Sequence, residues 1–114
     1  MQLIKEKISI EELKKMAEKM YGELVKAVVD IDKQIMVVDA ELHADEESLL
    51  LDEGSEQEHL WGINLHPSKI PNEDWIEFDS MINLRPSSGN RSRSVDNPEI
   101  RKKIISIVNK LVNK

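Results

Sequence analysis

The sequence contains no cysteine and little glycine or proline, and each shortage excludes a class of protein. Without cysteine the chain can form no disulfide scaffold, no thiolate metal site and no cysteine nucleophile, and it suits a reducing compartment. Four glycines and four prolines exclude collagen-like and low-complexity chains. No apolar run approaches the roughly 18 residues of a membrane-spanning helix, and residues 1–7 lack the apolar core of a signal peptide. We therefore expect a soluble cytoplasmic protein without a membrane partner.

The composition that is present is typical of a globular chain. Hydrophobic residues make up 39% and charged residues 33% of 114 residues, which is too apolar for a disordered protein. A chain of this length can bury about two-thirds of the surface of its unfolded form, so one hydrophobic core is enough. We expect a single domain over residues 1–114.

Charge is distributed unevenly along the chain. Residues 1–29 carry six basic and five acidic groups, residues 30–79 carry two and fifteen, and residues 80–114 carry eight and two. The central block therefore has a net charge of −13 beside a C-terminal third of +6. A negative field of this size repels phosphate backbones, so binding of duplex nucleic acid is disfavoured. Only the C-terminal third suits an anion.

Amphipathic helices are predicted at both ends of the chain. Ser9 and Glu12 form a capping box, apolar residues then recur at three- and four-residue spacing, and Gly22 is a plausible helix stop. Near the other end, Asn97 is a capping residue and Pro98 suits the first helical position. Each helix has one apolar face, and that face must be buried against another part of the molecule.

Between these helices the hydrophobic period changes from 3.6 to 2, which indicates strands. The segments that show strand patterns are residues 24–31, 36–44, 49–51, 59–66 and 75–85. About five mainly antiparallel strands with N- and C-terminal helices on one face make an α+β two-layer sandwich. The second face of such a sheet stays at least partly in water.

The predicted polar face of the sheet carries the candidate catalytic residues. Glu41, His43 and Asp45 alternate along the strand over 36–44, which places them in a row roughly 6.5–7 Å apart. Glu77 and Asp79 occupy the equivalent side of the strand over 75–85. Carboxylates and imidazole exchange protons and bind divalent metals, so Glu41, His43 and Asp45 are also candidate metal ligands and a divalent metal is a candidate cofactor. The competing interpretation is a solvated outer sheet face.

The second candidate site is the segment that leads into the loop over residues 86–97. It contains three arginines, four serines and a glycine within residues 85–94. Arginine can donate two hydrogen bonds to one carboxylate or phosphate, and glycine and serine allow backbone N–H groups to converge on an anion. The predicted anion-binding residues are Arg85, Ser88, Gly89, Asn90, Arg91 and Arg93. The competing interpretation is that these arginines neutralise acids of the same molecule.

The same segments carry a resemblance to a known family. They are residues 40–47, 49–51, 60–64, 75–83, 85–86 and 89–92. With this pattern the chain resembles a small family of uncharacterised bacterial and archaeal proteins, classed as a domain of unknown function. The resemblance implies a prokaryotic single-domain protein and supplies no activity, cofactor or catalytic residue.

Three functional hypotheses follow from the residues. The leading one is a small soluble binding domain that uses the polar sheet face and the 86–97 loop to bind a compact anion or a protein partner. The alternative is a metal-assisted hydrolase or transferase that acts on a small phosphorylated or carboxylated substrate at the same surface. The third is a homodimer that buries Ile35, Val37, Trp75 and Met81, which fall on the otherwise polar side.

Overall fold

A five-stranded antiparallel sheet organises the molecule, and the computed structural model describes residues 1–113. In chain order the strands are β1 (Gln2–Ile4), β2 (Ile8–Ser9), β3 (Val25–Asp30), β4 (Ile35–Val38), β5 (Leu60–Leu65), β6 (Ile76–Glu77) and β7 (Val112–Asn113), and the helices are α1 (Ile10–Met20), α2 (His43–Asp52) and α3 (Pro98–Leu111). The sheet has the order β1-β4-β3-β5-β6, and β2 pairs with β7 in a separate parallel ribbon. The predicted α+β class is confirmed.

The terminal helices begin and end where the sequence predicts. Ser9 Oγ accepts the Glu12 backbone N–H at 3.1 Å, and Asn97 Oδ1 accepts the Glu99 N–H at 2.8 Å. Gly22 has φ +85°, the left-handed conformation that ends a helix. Both helices pack on one sheet face, where the core includes Leu13, Ala17, Ala27, Val29, Ile63, Ile104 and Val108. No helix within residues 1–113 is long and apolar enough to cross a membrane.

The predicted strands over 36–44 and 49–51 are wrong beyond Val38. The chain leaves β4 at Asp39, whose φ is +71°, and residues 43–52 form α2. The side chains that α2 buries are His43, Glu46 and Leu50, a helical spacing that is easily missed because two of the three are polar.

Helix α2 covers the second sheet face, which the alternation pattern had assigned in part to solvent. Leu50 packs there with Val28, Val37 and Leu60. The sequence argument for a homodimer loses its basis, because Val37 and Trp75 are buried within the chain. Of the four apolar residues in that argument, Met81 is the one that is largely exposed, at 62%.

The predicted strand over 75–85 is also too long. Its ladder to β5 ends at Glu77, and residues 81–83 and 86–88 are short 3-10 turns. The Asn83 side chain replaces the backbone pairing with β5, because its amide accepts the Gly62 N–H at 2.8 Å and donates to the Gly62 carbonyl at 2.9 Å. A Cβ at Gly62 would lie 2.6 Å from the Ser80 side chain, so only glycine allows this close approach.

Candidate functional site

A cleft of about 410 Å³ lies between the loop over 86–97 and the start of α3. We call it the Arg85 cleft. Of the predicted anion-binding residues, Arg85, Ser88, Gly89 and Asn90 line it. Arg91 and Arg93 are not among its lining residues. The structure therefore brings together four of the six predicted residues around one cavity.

Hydrogen bonds of the loop itself hold the cleft in shape. The buried Asn90 amide nitrogen lies 2.7, 3.1 and 2.8 Å from the carbonyls of Asn83, Ser92 and Ser94, and its Oδ1 accepts the Asp96 N–H at 2.8 Å. Gly89 ends the preceding turn at φ +87°, a conformation that glycine adopts without steric cost. The loop therefore has a defined conformation that its own hydrogen bonds maintain.

The Arg85 guanidinium forms one wall of the cleft. It stacks on the Trp61 ring, 4.3 Å from the ring centroid, and it donates to the carbonyls of Ile82 and Gln57 at 3.0 and 3.2 Å and to that of Leu60. Within residues 1–113 it forms no salt bridge. Burial lowers the pKa of Arg85 below its ordinary value. The hydrogen-bond acceptors of this partly buried cation are therefore all neutral carbonyls, and the negative charge of Glu47 acts on it without a salt bridge, which is unusual for a charge removed from water.

Trp61 adds an unused hydrogen-bond donor to the same wall. The residue is 5% exposed and lines the cleft. Its indole Nε1 is buried and has no hydrogen-bond partner within the described chain. Buried donors are nearly always paired, so this N–H is an exception that needs an explanation.

Two acids also border the cleft, and one of them accepts hydrogen bonds from the loop itself. Asp96 accepts the Ser92 hydroxyl at 2.5 Å and the Arg91 backbone N–H at 2.8 Å. These hydrogen bonds, with the nearby charge of Arg101, lower the pKa of Asp96, so it stays ionised near neutral pH. Glu58 is the second acid in the lining. The lining therefore holds one arginine and two carboxylates, and without a surplus of positive charge it suits one compact ligand better than a polyanion.

The other two predicted arginines lie outside the cleft. Arg93 Nε donates to Asp79 Oδ1 at 2.7 Å, and both side chains of this salt bridge are about half exposed, at 55% and 46%. That pair fits the competing interpretation, in which arginines of this segment neutralise acids of the same molecule. Arg91 is exposed.

The predicted row of Glu41, His43 and Asp45 does not exist, because these residues precede or begin α2. His43 is buried and its Nε2 donates to the Ile63 carbonyl at 2.8 Å. Burial lowers the pKa of His43, against the effect of that hydrogen bond, so the imidazole is neutral near pH 7. Glu41 and Asp45 are exposed.

Glu77 and Asp79 lie at the far edge of the sheet and serve different partners. Glu77 Oε1 accepts from Asn64 Nδ2 at 3.0 Å and lies 3.2 Å from His66 Nε2. Partial burial acts to raise the pKa of Glu77, but these two hydrogen bonds outweigh it and the pKa is lowered. Asp79 pairs with Arg93 as described. The predicted catalytic residues are therefore dispersed over three locations.

The predicted metal ligands Glu41, His43 and Asp45 are not gathered at one point. Among residues 1–113, the group of His and carboxylate side chains that brings three ligand atoms within 4.8 Å of one another is Glu56, Glu58 and His59. Glu56 and Glu58 are exposed there, and exposed carboxylates in a turn are common without an ion.

Sequence reasoning missed two buried polar side chains. Glu46 is fully buried, its Oε2 accepts the Ala40 N–H at 3.2 Å, and its Oε1 has no partner within residues 1–113. Burial raises the pKa of Glu46 to about 10, so the carboxyl is neutral. Asn83 is the other. Its signal is Gly62, because a glycine inside a strand pattern indicates that another part of the chain approaches the strand closely there. No comparable signal marks Glu46.

Comparison with known proteins adds a family. No curated protein and no solved structure matches this chain. A family model matches residues 2–111, nearly the whole length. The chain therefore belongs to the family described as Protein of unknown function (DUF5674).

Proposed function

We propose that this protein is a small binding domain that holds one compact anion, a carboxylate or a phosphate, in the Arg85 cleft. The observation that carries the proposal is the Arg85 guanidinium, which is partly buried against Trp61 and has carbonyl partners but no salt bridge within residues 1–113. A bound anion would give Arg85 a direct ionic partner, and charge-assisted hydrogen bonds to arginine are among the strongest in proteins.

Neutral groups around the cleft would complete the recognition. The buried Trp61 indole N–H lacks an acceptor, and Ser88 lines the cleft together with the left-handed Gly89. A cavity of about 410 Å³ accommodates a small molecule. Arg91 follows the lining residue Asn90 in the chain and is exposed. Duplex nucleic acid would be repelled by the central block of net charge −13.

The proposal includes a cytoplasmic, prokaryotic setting and one functional unit over residues 1–114. The absence of cysteine suits a reducing compartment. The supporting observation for one unit is that α1 and α3, from opposite ends of the chain, share one core with the central strands.

The test compares two serines of the same 3-10 turn, Ser87 and Ser88. Both are exposed, but only Ser88 lines the cleft. Ser88→Asp places a carboxylate at the ligand position, and Ser87→Asp makes the same charge change next to it. We expect phosphate or acetate to raise the melting temperature of the wild type and of Ser87→Asp beyond the rise in chloride at equal ionic strength, by ligand linkage.

Ser88→Asp should lose that increment while keeping its own melting temperature in chloride. Equal responses of the two variants, or no anion-specific response of the wild type at millimolar concentration, would refute the proposal. Isothermal titration calorimetry with phosphate gives the stoichiometry, which should be one ion per chain.

A further inference from the structure

The charged residues that line the Arg85 cleft are of both signs, and their arrangement bears on the kind of ligand that the cleft takes. They are Arg85, Glu58 and Asp96. Neither carboxylate forms a salt bridge with Arg85 or with another cation within residues 1–113. The lining therefore holds one positive and two negative groups that are not paired with each other.

The loop itself fixes the position of Asp96. Its two carboxylate oxygens accept the Ser92 hydroxyl at 2.5 Å and the Arg91 backbone N–H at 2.8 Å. The charge of Arg101 also acts on Asp96, but the Arg101 guanidinium donates to Ser94 Oγ at 2.8 Å and forms no salt bridge among the described residues. Each carboxylate oxygen has a second lone pair, so Asp96 is a fixed acceptor that still has capacity for a ligand.

Glu58 reaches the cleft from another part of the chain, the 3-10 turn over Gln57–His59. Its backbone carbonyl lies 3.5 Å from Arg85 Nη1, so the residue lies beside the guanidinium. His59 is within 4.8 Å of the Glu58 carboxylate, but its ion pair, at 3.9 Å, is with Glu56. Glu56 does not line the cleft. Of these two neighbouring acids, Glu58 is therefore the one that meets a ligand.

A simple anion matches only part of this lining. It would pair with Arg85, and the buried Trp61 indole N–H, which has no acceptor within the described chain, offers it a further donor. It would also add negative charge beside two carboxylates that already outnumber the guanidinium, and like charges repel more strongly where water is partly excluded. A ligand that has a cationic group as well avoids this repulsion, because its positive charge lies against Glu58 and Asp96.

We infer that the ligand of the Arg85 cleft is a small zwitterion, a molecule that has a carboxylate or phosphate and a protonated amine. This inference rests on the proposed function, since the anionic end occupies the site described there. The anion faces Arg85 and Trp61, and the ammonium group lies between Glu58 and Asp96, where it donates to both carboxylates. Amino acids and phosphate esters of amino alcohols have this chemistry, and a cavity of about 410 Å³ accommodates either.

The experiment compares ligands in pairs that differ by one ammonium group. Glycine is matched with acetate, β-alanine with propionate, and phosphoethanolamine with ethyl phosphate, and isothermal titration calorimetry gives each dissociation constant at pH 7. In at least one pair the amine should lower the dissociation constant by about fivefold, the effect of a partly exposed ion pair. The pair that responds distinguishes a carboxylate ligand from a phosphate ligand. Methylamine, which has the cation without the anion, should not bind at millimolar concentration.

Two variants at neighbouring acids locate the ammonium group. Glu58→Gln should reduce the advantage of the amine-bearing ligand to less than about twofold. The plain anion of the same pair should bind Glu58→Gln as tightly as the wild type or more tightly, because a negative charge is removed from the lining. Glu56→Gln changes the net charge equally at an exposed acid outside the cleft, and it should preserve the full difference within each pair.

Equal affinities within every pair, with the plain anions still bound, would overturn the inference and leave the proposed function standing. If neither plain anions nor zwitterions bound to the wild type, both would be overturned. Three other results would contradict the inference: equal weakening of plain and amine-bearing ligands by Glu58→Gln, loss of the amine's advantage in Glu56→Gln, and binding of methylamine as tight as that of glycine.

Discussion

The segment over 80–97 and the segment over 39–52 use their polar residues in opposite ways. In the first, the side chains of Asn83 and Asn90 bond to backbone groups, and Asp96 accepts from Ser92 and Arg91. In the second, the carboxylates of Asp39, Glu41, Asp45 and Asp52 form no salt bridge within residues 1–113. A polar segment can therefore be either scaffold or free surface, and only the bonds that its side chains make distinguish the two.

The comparison also bears on the Arg85 cleft, which belongs to the first segment. Its loop is held by internal hydrogen bonds, and it offers chiefly one guanidinium without a salt bridge within residues 1–113 and one indole N–H without an acceptor. This arrangement favours a single small ligand with defined geometry.

The strongest test of the scaffold role is Asn83→Ala. This change would leave both the N–H and the carbonyl of Gly62 without their partner and would remove the donor to the Arg93 carbonyl. Because Asn83 is fully buried, we expect the free energy of unfolding to fall by about 3 kcal/mol.

Urea denaturation monitored by circular dichroism measures the loss caused by Asn83→Ala. Ser87→Ala, at an exposed position of the same segment, should change stability by less than about 0.5 kcal/mol. A loss below about 1 kcal/mol for Asn83→Ala would show that residues 80–97 do not depend on this amide.

The second prediction concerns the buried acid of the 39–52 segment. The folded pKa of Glu46 is about 10 against an ordinary value of 4.5, so the folded state holds a proton that the unfolded state releases. The contribution is fully present below the unfolded pKa and is lost as pH rises through the folded pKa. Stability should fall across pH 5–9, with a limiting slope of about 1.4 kcal/mol per pH unit from this group.

Glu46→Gln removes the titration and should flatten that slope. Unfolding by urea at pH 5, 7 and 9 provides the measurement. Glu47→Gln is the matched control, because Glu47 is the adjacent residue and is only partly buried. If both variants kept the wild-type slope, Glu46 would have to be ionised in the folded protein.

The smallest effect is expected at the rim of the 80–97 segment. Arg93 and Asp79 form a half-exposed salt bridge, and such pairs contribute roughly 0–1 kcal/mol. Arg93→Ala should therefore lower the melting temperature only slightly, and Arg91→Ala less, since Arg91 is exposed and forms no salt bridge within residues 1–113. Differential scanning calorimetry of the two single variants and of the double variant measures these changes in melting temperature. Unfolding of the double variant at room temperature would make these arginines part of the scaffold instead.

Several elements of the fold were predictable because their signals are local. The Ser9–Glu12 box and the Asn97–Pro98 start mark helix ends through hydrogen bonds between neighbours in sequence. The strand over 60–65 follows from the period-2 spacing of Trp61, Ile63 and Leu65, although the sheet buries all six of its residues. The same kind of reasoning located four lining residues of the Arg85 cleft, because the arginine, serine and glycine content of one short segment was visible in the composition.

By itself, the sequence determined the terminal helices, the antiparallel α+β class and the segregation of charge, since each depends on spacing or on residue type alone. Tertiary structure decided the rest. Residues 43–52 form a helix because His43 and Glu46 are buried against the sheet, which a hydrophobic pattern cannot anticipate. Residues 78–83 leave the strand because the Asn83 amide pairs with Gly62, 21 positions away, and long-range pairing of that kind has no local signature.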